Sequence, residues 1–429
     1  MIRIISSSDH GARAGFLARL RRRSVGMDSE LITQVSSIID DVRERGDLAL
    51  VDYAERFDGI KLSISDLRIS LESLRETAAR VDASVLATLS EAIRNVRAFH
   101  ERQREESWTI ANGDILLGQR ITAIESVGLY VPGGTAAYPS SVVMNVVPAQ
   151  VAGVERIVVA TPPDTVRSNP SVAAALLELG VQEIYAVGGA QAIAALAFGT
   201  ETIAPVDKIT GPGNKYVAAA KKLVFGVVGI DSIAGPSEVV IVADESARAD
   251  FVAADLLAQS EHGEDASAIL LTTSDSVAEQ VSVEVTKQVA ILPRKGIVAQ
   301  SIENYGAVLV VNDLDEACEI VNALAPEHVE LMTRDNEALS KKIKHAGAIF
   351  IGDYSPEALG DYFAGPNHVL PTGRTARFSS ALGVYDFVKR TSIIGYSRDQ
   401  LENVAEKIAV LAEAEGLQGH AKSALVRMK

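Results

Sequence analysis

Between Val127 and Ile351, short aliphatic runs alternate with longer Ala-rich stretches, and this alternation leaves few folds open. Residues 127–131, 157–161, 184–187, 239–242, 268–272, 308–311, 329–332 and 349–351 have the length of strands and carry little charge. The stretches between them are mostly long enough for crossover helices. Strands alternating with helices form parallel or mostly parallel sheets covered on both faces, and strands buried in this way read as nearly unbroken aliphatic runs. Hydrophobic content of 47% with only 5% aromatics fits such sheets, and 429 residues suffice for two or more domains.

Glycine and proline cluster between Tyr130 and Ser237, in Pro132-Gly133-Gly134, Gly188-Gly189, Gly211-Pro212-Gly213 and Gly235-Pro236. Residues 130–236 therefore read as one α/β unit inserted into a larger one built from 26–129 and 237–381. Residues 1–25 read as a polar arm with Arg19, Arg21, Arg22 and Arg23 clustered, expected on a solvated helix face or a subunit contact. Apolar residues at three- and four-residue steps predict a helix over 81–106, and residues 401–415 predict an amphipathic helix within a C-terminal segment, 382–429.

A net charge of −15 argues against a broad nucleic-acid-binding surface. The single cysteine, Cys318, excludes an intrachain disulfide and a thiolate-built metal centre, and its helical context favours a buried filler. The longest uncharged apolar run, near 184–200, is broken by Gly188-Gly189 and Gln191, so no membrane span is expected and the cytoplasm is the expected location.

Gln259 and His262 stand three apart at the end of a helical run, on one face, where an amide oxygen and an imidazole can reach one ion. Such a pair also arises by chance. Asp361, after Gly360, and His420, after Gly419, offer the remaining donors; two oxygens and two imidazoles without sulfur suit a hard or borderline divalent ion such as zinc. Glu327-His328 joins a carboxylate to an imidazole ahead of a strand. The pair could serve as general base and water activator, although the residues alone favour a solvent-facing pair. His368, between prolines, reads equally well as structural or catalytic. His10, His100 and His345 read as surface residues. The Gly-rich turns follow strands and open helices, as phosphate-binding turns do, but Tyr216 occupies the third glycine position of the dinucleotide fingerprint. Nucleotide binding and plain tight β–α connections stand even there. Ser237 lacks the flanks of a nucleophile elbow and reads as a turn or substrate-bonding residue.

Nine phrases in one order change that balance. Tyr130-Val131-Pro132-Gly133-Gly134, Val187-Gly188-Gly189-Ala190-Gln191-Ala192, Gly211-Pro212-Gly213-Asn214, Ala234-Gly235-Pro236-Ser237-Glu238, Gln259-Ser260-Glu261-His262-Gly263, Pro326-Glu327-His328, Gly360-Asp361-Tyr362, Asn367-His368-Val369-Leu370-Pro371 and Ala414-Glu415-Gly416-Leu417 together resemble the histidinol dehydrogenase family over nearly the whole chain. The resemblance implies two Rossmann-like domains with incomplete, mostly parallel sheets plus small N- and C-terminal pieces. It implies NAD-dependent four-electron oxidation of L-histidinol to L-histidine through L-histidinaldehyde, the last steps of histidine biosynthesis.

The same resemblance implies one zinc ion per subunit, held by Gln259, His262, Asp361 and His420, that anchors the substrate. His328 would be the general base and Glu327 the activator of water. Tyr130, Gln191 and Asn214 would contact NAD. Ser237, Gln259, His262, His328, Asp361, Glu415 and His420 would contact substrate, with His368 in support. The family's homodimer, in which each C-terminal tail completes the partner's active site, implies the same for Glu415 and His420 here. The main alternative is a related zinc- and NAD-dependent dehydrogenase acting on another small amino alcohol or a sulfonated diol. A metal-dependent hydrolase would leave the Gly-rich turns unexplained, and a non-enzymatic scaffold would make the polar clusters accidental.

Overall fold

The computed structural model describes residues 2–23, 27–133 and 138–428. Two parallel sheets organise it. In the five-stranded sheet the strand order is Glu183–Ala186, Arg156–Thr161, Ser126–Tyr130, Lys208–Thr210, Gly229–Ile230. The chain winds outward from the central strand Ser126–Tyr130 in one direction and then returns to start the other half beside it. That reversal creates a switch point between Tyr130 and Thr210, where open α/β sheets bind ligands beyond the strand carboxyl ends. The six-stranded sheet repeats the scheme with Ile4–Ile5, Ala307–Val310, Ser267–Thr272, Glu238–Ala243, His328–Met332 and Ala348–Ile351. Here the switch lies between Glu238–Ala243 and His328–Met332. The fold is thus two Rossmann-like α/β units with incomplete parallel sheets, as expected.

The buried clusters divide the molecule differently from the expected grouping of 26–129 with 237–381. Leu31, Val35, Leu50, Leu74 and Val96, from the helices between Ser29 and Glu101, share one core with Val127, Val159, Ile184 and Ile209 of the five-stranded sheet. The six-stranded sheet has its own apolar residues on each face. The N-terminal arm is also folded: Ile4–Ile5 pairs in parallel with Val308 and Leu309, and Phe16 and Leu20 of helix His10–Arg23 are buried against that sheet. The solvated-arm reading missed these two apolar anchors. Gly134 and the Arg23 side chain lie outside the described residues.

A third sheet was not expected. Trp108–Asn112, Ile115–Ala123 and Val388–Tyr396 pair antiparallel, joined at one end by a two-residue loop with Gly113 at φ +58°. The expected helix 401–415 is broken, forming Arg398–Glu402 and Ala405–Ala414. The latter packs Ala409 and Ala412 against Ala421 of Gln418–Leu425 in a separate small cluster. Among the described residues, no helix is long and apolar enough to cross a membrane.

Two features hold the units face to face. The carboxyl edge of the five-stranded sheet ends at Ile230, and the six-stranded sheet begins at Glu238. So short a link keeps the two edges adjacent. Asn367, almost fully buried on the segment that follows helix Glu357–Tyr362, ties that segment to the five-stranded unit: its Nδ2 donates to the Met144 carbonyl (2.6 Å) and lies 3.3 Å from His100 Nε2, while its Oδ1 accepts from Val369 N–H. His100 is therefore a buried latch, not the surface residue its charged neighbours suggested.

Candidate active site

The polar cluster gathers at the amino edge of the six-stranded sheet. Glu238 and His328 are the first residues of neighbouring central strands, with His328 paired to Val239. Helix Ala249–Ser260 leaves the carboxyl edge and runs back, so its end delivers Gln259 and His262 to the same place. The short helix Glu357–Tyr362 brings Glu357 and Asp361, four apart on one face. Gly360 makes this approach possible, because a Cβ there would sit 2.7 Å from the Phe350 ring, whose other neighbour is the His328 imidazole, 5.9 Å between centroids.

The main chain of Glu238 fixes the Glu327–His328 pair. Its N–H donates to Glu327 Oε2 (3.0 Å), and its carbonyl accepts from His328 Nδ1–H (3.1 Å). With the proton committed to Nδ1, the acceptor lone pair is on Nε2. That atom is buried without a hydrogen-bond partner, 4.0 Å from Asp361 Oδ1. Burial pushes the imidazole down to about 3, so it is neutral at physiological pH. His368 donates from Nδ1 to the Asp361 carbonyl (3.0 Å), and burial lowers it to about 4.

Acidic groups crowd this edge. His262 Nε2 lies 3.8 Å from Glu357 Oε1 and 3.9 Å from Asp361 Oδ2, and these three residues can converge on one ion. Burial raises Asp361 to about 6 despite the opposing pull of His262. Burial and the neighbouring carboxylates of Asp361, Glu330, Glu327 and Asp255 hold Glu357 well above the usual range. Fully buried Gln259 stands against Glu357. With its amide one way round, its NH2 donates to both Glu357 oxygens and its oxygen accepts from Glu238 N–H at 3.1 Å. The other way round, two acceptors face each other, which a cation between them would satisfy. Surplus buried carboxylate, the His262 imidazole and an amide oxygen make a donor set that fits a divalent cation. His262, its side chain 42% exposed, forms the open side.

Of the expected ligands, one chain assembles Gln259, His262 and Asp361. Glu415 and His420 are exposed on the C-terminal helical hairpin. Ser237, directly before Glu238, is at the amino edge, its carbonyl accepting from Ser267 N–H. Glu357 and Glu330 went unnoticed in the sequence. Glu357 stands four residues before Asp361, and Glu330 is a carboxylate two residues after His328 in an otherwise aliphatic strand; both patterns were legible.

Tyr130, Gln191 and Asn214 gather at the other unit's carboxyl edge. The buried Tyr130 hydroxyl accepts from Gly189 N–H (3.0 Å), and burial pushes it up to about 12. Gln191 is buried in helix Gly189–Phe198, and Asn214 caps helix Lys215–Val224, its Oδ1 accepting from Tyr216 and Val217 N–H.

A histidinol dehydrogenase family model matches residues 21–428. The chain belongs to the histidinol dehydrogenase family. It is 55% identical to histidinol dehydrogenase of Geobacillus kaustophilus over 412 residues (96% of this chain, 97% of that one) and 56% identical to that of Bacillus subtilis over 392 residues (91% of each). The crystal structure of histidinol dehydrogenase from Elizabethkingia anophelis superposes with a TM-score of 0.93 at 35% identity, covering 100% of this chain and 98% of that one. As a histidinol dehydrogenase family member, the chain is an oxidoreductase of histidine biosynthesis.

The raised carboxyls predict a pH-dependent cation effect. A carboxyl whose folded pKa is raised favours the fold while protonated, and that contribution is lost as pH rises through about 6 for Asp361. A bound cation offsets the loss and competes with fewer protons at higher pH. The gain in melting temperature on adding zinc to metal-free protein should grow between about pH 5 and pH 7.5. A constant or shrinking gain would contradict the assignment of these carboxyls to a cation site.

Proposed function

We propose that this chain catalyses the NAD-dependent four-electron oxidation of L-histidinol to L-histidine through L-histidinaldehyde. The observation that carries the reading is His328 Nε2: neutral, buried, without a partner, and aimed into a cluster of cation-binding side chains. Such an atom is poised to take a proton from a substrate hydroxyl.

Gln259, His262 and Asp361, with His420 from the partner subunit, would hold one zinc ion. It would supply the charge that anchors the substrate's imidazole and amino nitrogens. NAD would supply the hydride acceptor for each oxidation, at the edge that carries Tyr130, Gln191 and Asn214.

His328 takes the alcohol proton as the carbinol carbon loses hydride, giving the aldehyde. Glu327, held by Glu238 N–H beside His328, then removes a proton from the water that attacks the aldehyde carbon, while protonated His328 returns its proton to the former carbonyl oxygen, which gives the gem-diol and restores the neutral base. His328 takes a hydroxyl proton again as the gem-diol loses its second hydride, giving the carboxylic acid, which releases its remaining proton to become the carboxylate. Two adjacent groups with separate tasks thus serve both oxidations at one site. Asp361 and Gln259 orient the substrate, Ser237 and Glu415 add polar contacts to it, and His368 braces the Asp361 main chain.

The reading includes a homodimer. Glu415 and His420 are exposed in the single chain, and Val410, Leu411 and Leu417 beside them are exposed too, as is Ile394 of the third sheet. A second copy would cover these apolar groups and receive the hairpin. A cytoplasmic location completes the reading.

Each L-histidinol should yield two NADH and one histidine. Removing a general base costs on the order of 10²–10⁴ in rate, so His328→Ala should lose both oxidations by that order. Glu327→Gln should slow oxidation of supplied histidinaldehyde more than that of histidinol. Equal losses in both steps for Glu327→Gln would contradict the division of labour. Mixing inactive His262→Ala and His420→Ala chains under exchange conditions should restore activity, because a hybrid dimer contains one intact site. No recovery in verified hybrids would remove the partner's tail from the site.

A further inference from the structure

Beneath the switch point of the five-stranded sheet lies a buried ion pair that the mechanism does not use. Lys221, on helix Lys215–Val224, and Asp231, just after Gly229–Ile230, have side chains 2% and 5% exposed, and Lys221 Nζ lies against Asp231 Oδ1. The same two side chains hold both polar groups of one residue. Lys221 Nζ donates to the Gly211 carbonyl (2.9 Å), and Gly211 N–H donates to Asp231 Oδ2 (2.8 Å).

Gly211 has φ +112°, and a Cβ there would collide with the Tyr130 carbonyl oxygen. Its conformation is open to glycine but imposed from outside, by side chains of the next helix and beyond the next strand. Stability alone is a poor reason for such a pair. Burying two charges is costly, and well-packed apolar residues often serve the core as well or better. What an ion pair provides that an apolar pair does not is direction: one end grips a carbonyl, the other an N–H. From Gly211 the chain runs directly through Pro212 and Gly213 to Asn214. A rotation at Gly211 would therefore move Asn214 relative to Tyr130.

We propose that Lys221 and Asp231 are positioning residues for the dinucleotide, clamping Gly211 so that residues 211–214 present a fixed surface at the switch point. This inference rests on the reading that NAD lies at Tyr130, Gln191 and Asn214. It gives the pair a role in cofactor affinity that is separate from histidinol binding at the other sheet's edge.

The test is NADH binding, followed by its fluorescence, on dimeric zinc-loaded protein, with histidinol affinity and melting temperature measured alongside. Lys221→Met should weaken NADH binding roughly tenfold, the scale of a lost charged hydrogen bond, with histidinol affinity unchanged. Asp231→Asn is isosteric and discharges the pair while keeping an acceptor for Gly211 N–H; it supplies folded protein if Lys221→Met does not, and should weaken NADH binding less. In steady state both variants should raise KM for NAD without raising KM for histidinol. Unchanged NADH affinity in a folded variant, or equal losses for NADH and histidinol, would overturn the clamp. Tyr130→Ala and Asn214→Ala separate the two failures. If they weaken NADH binding and the pair variants do not, the clamp alone is wrong; if none of the four does, the cofactor does not lie at this edge.

Discussion

One peptide segment, the main chain of Glu238, organises the reactive end of this molecule. Its N–H holds the Glu327 carboxylate and its carbonyl holds the His328 imidazole. Both bonds follow from parallel pairing of the two central strands, because His328 begins its strand one register step from Glu238. The sheet ladder therefore sets which His328 nitrogen carries the proton and where the free lone pair points. An imidazole mounted on a loop would have neither constraint; here the backbone of a fully packed sheet supplies the precision.

The location of this edge has consequences for binding. Open α/β sheets usually bind ligands past the carboxyl ends of their strands. In the proposed reading the five-stranded sheet would follow that rule at Tyr130 and Gly211, whereas the six-stranded sheet would use its amino edge. The direct run of chain from one sheet to the other, and the Asn367 bonds to Met144 and His100, keep the two edges adjacent. A hydride donor at one edge and an acceptor at the other could thus meet without a large movement. The crowding of Glu327, Glu330, Glu357 and Asp361 around two neutral histidines is unfavourable by itself, since burial and mutual repulsion push carboxyls towards protonation. That imbalance is the structural argument for a cation.

Much of this was legible in the sequence for identifiable reasons. All eight strand-like runs between 127 and 351 became strands within about a residue of their expected ends, because strands buried on both faces leave an unmistakable aliphatic trace. Gln259 and His262 were singled out by helical spacing; Glu327-His328 was noticed by its position before a strand, but the residues alone favoured a solvent-facing pair, whereas both are buried because the strand they open lies inside the sheet. The third sheet was missed because its strands are largely exposed and the partner Val388–Tyr396 is far away in sequence. Its Asn112-Gly113-Asp114 turn was the available signal. His100 was misread because charged neighbours in sequence say nothing about a buried face turned towards Asn367. Glu415 and His420 remain outside the single-chain cluster, since their expected task depends on a second copy.

The most direct test of the central claim is the nitrogen-15 spectrum of the His328 imidazole in zinc-loaded, substrate-free protein near neutral pH. The account predicts one neutral ring with a protonated, pyrrole-type Nδ1 and an unprotonated, pyridine-type Nε2, and the assignment should vanish in His328→Gln. A proton on Nε2, or an imidazolium signal at that pH, would contradict it, because the atom needed to accept the substrate proton would already be occupied.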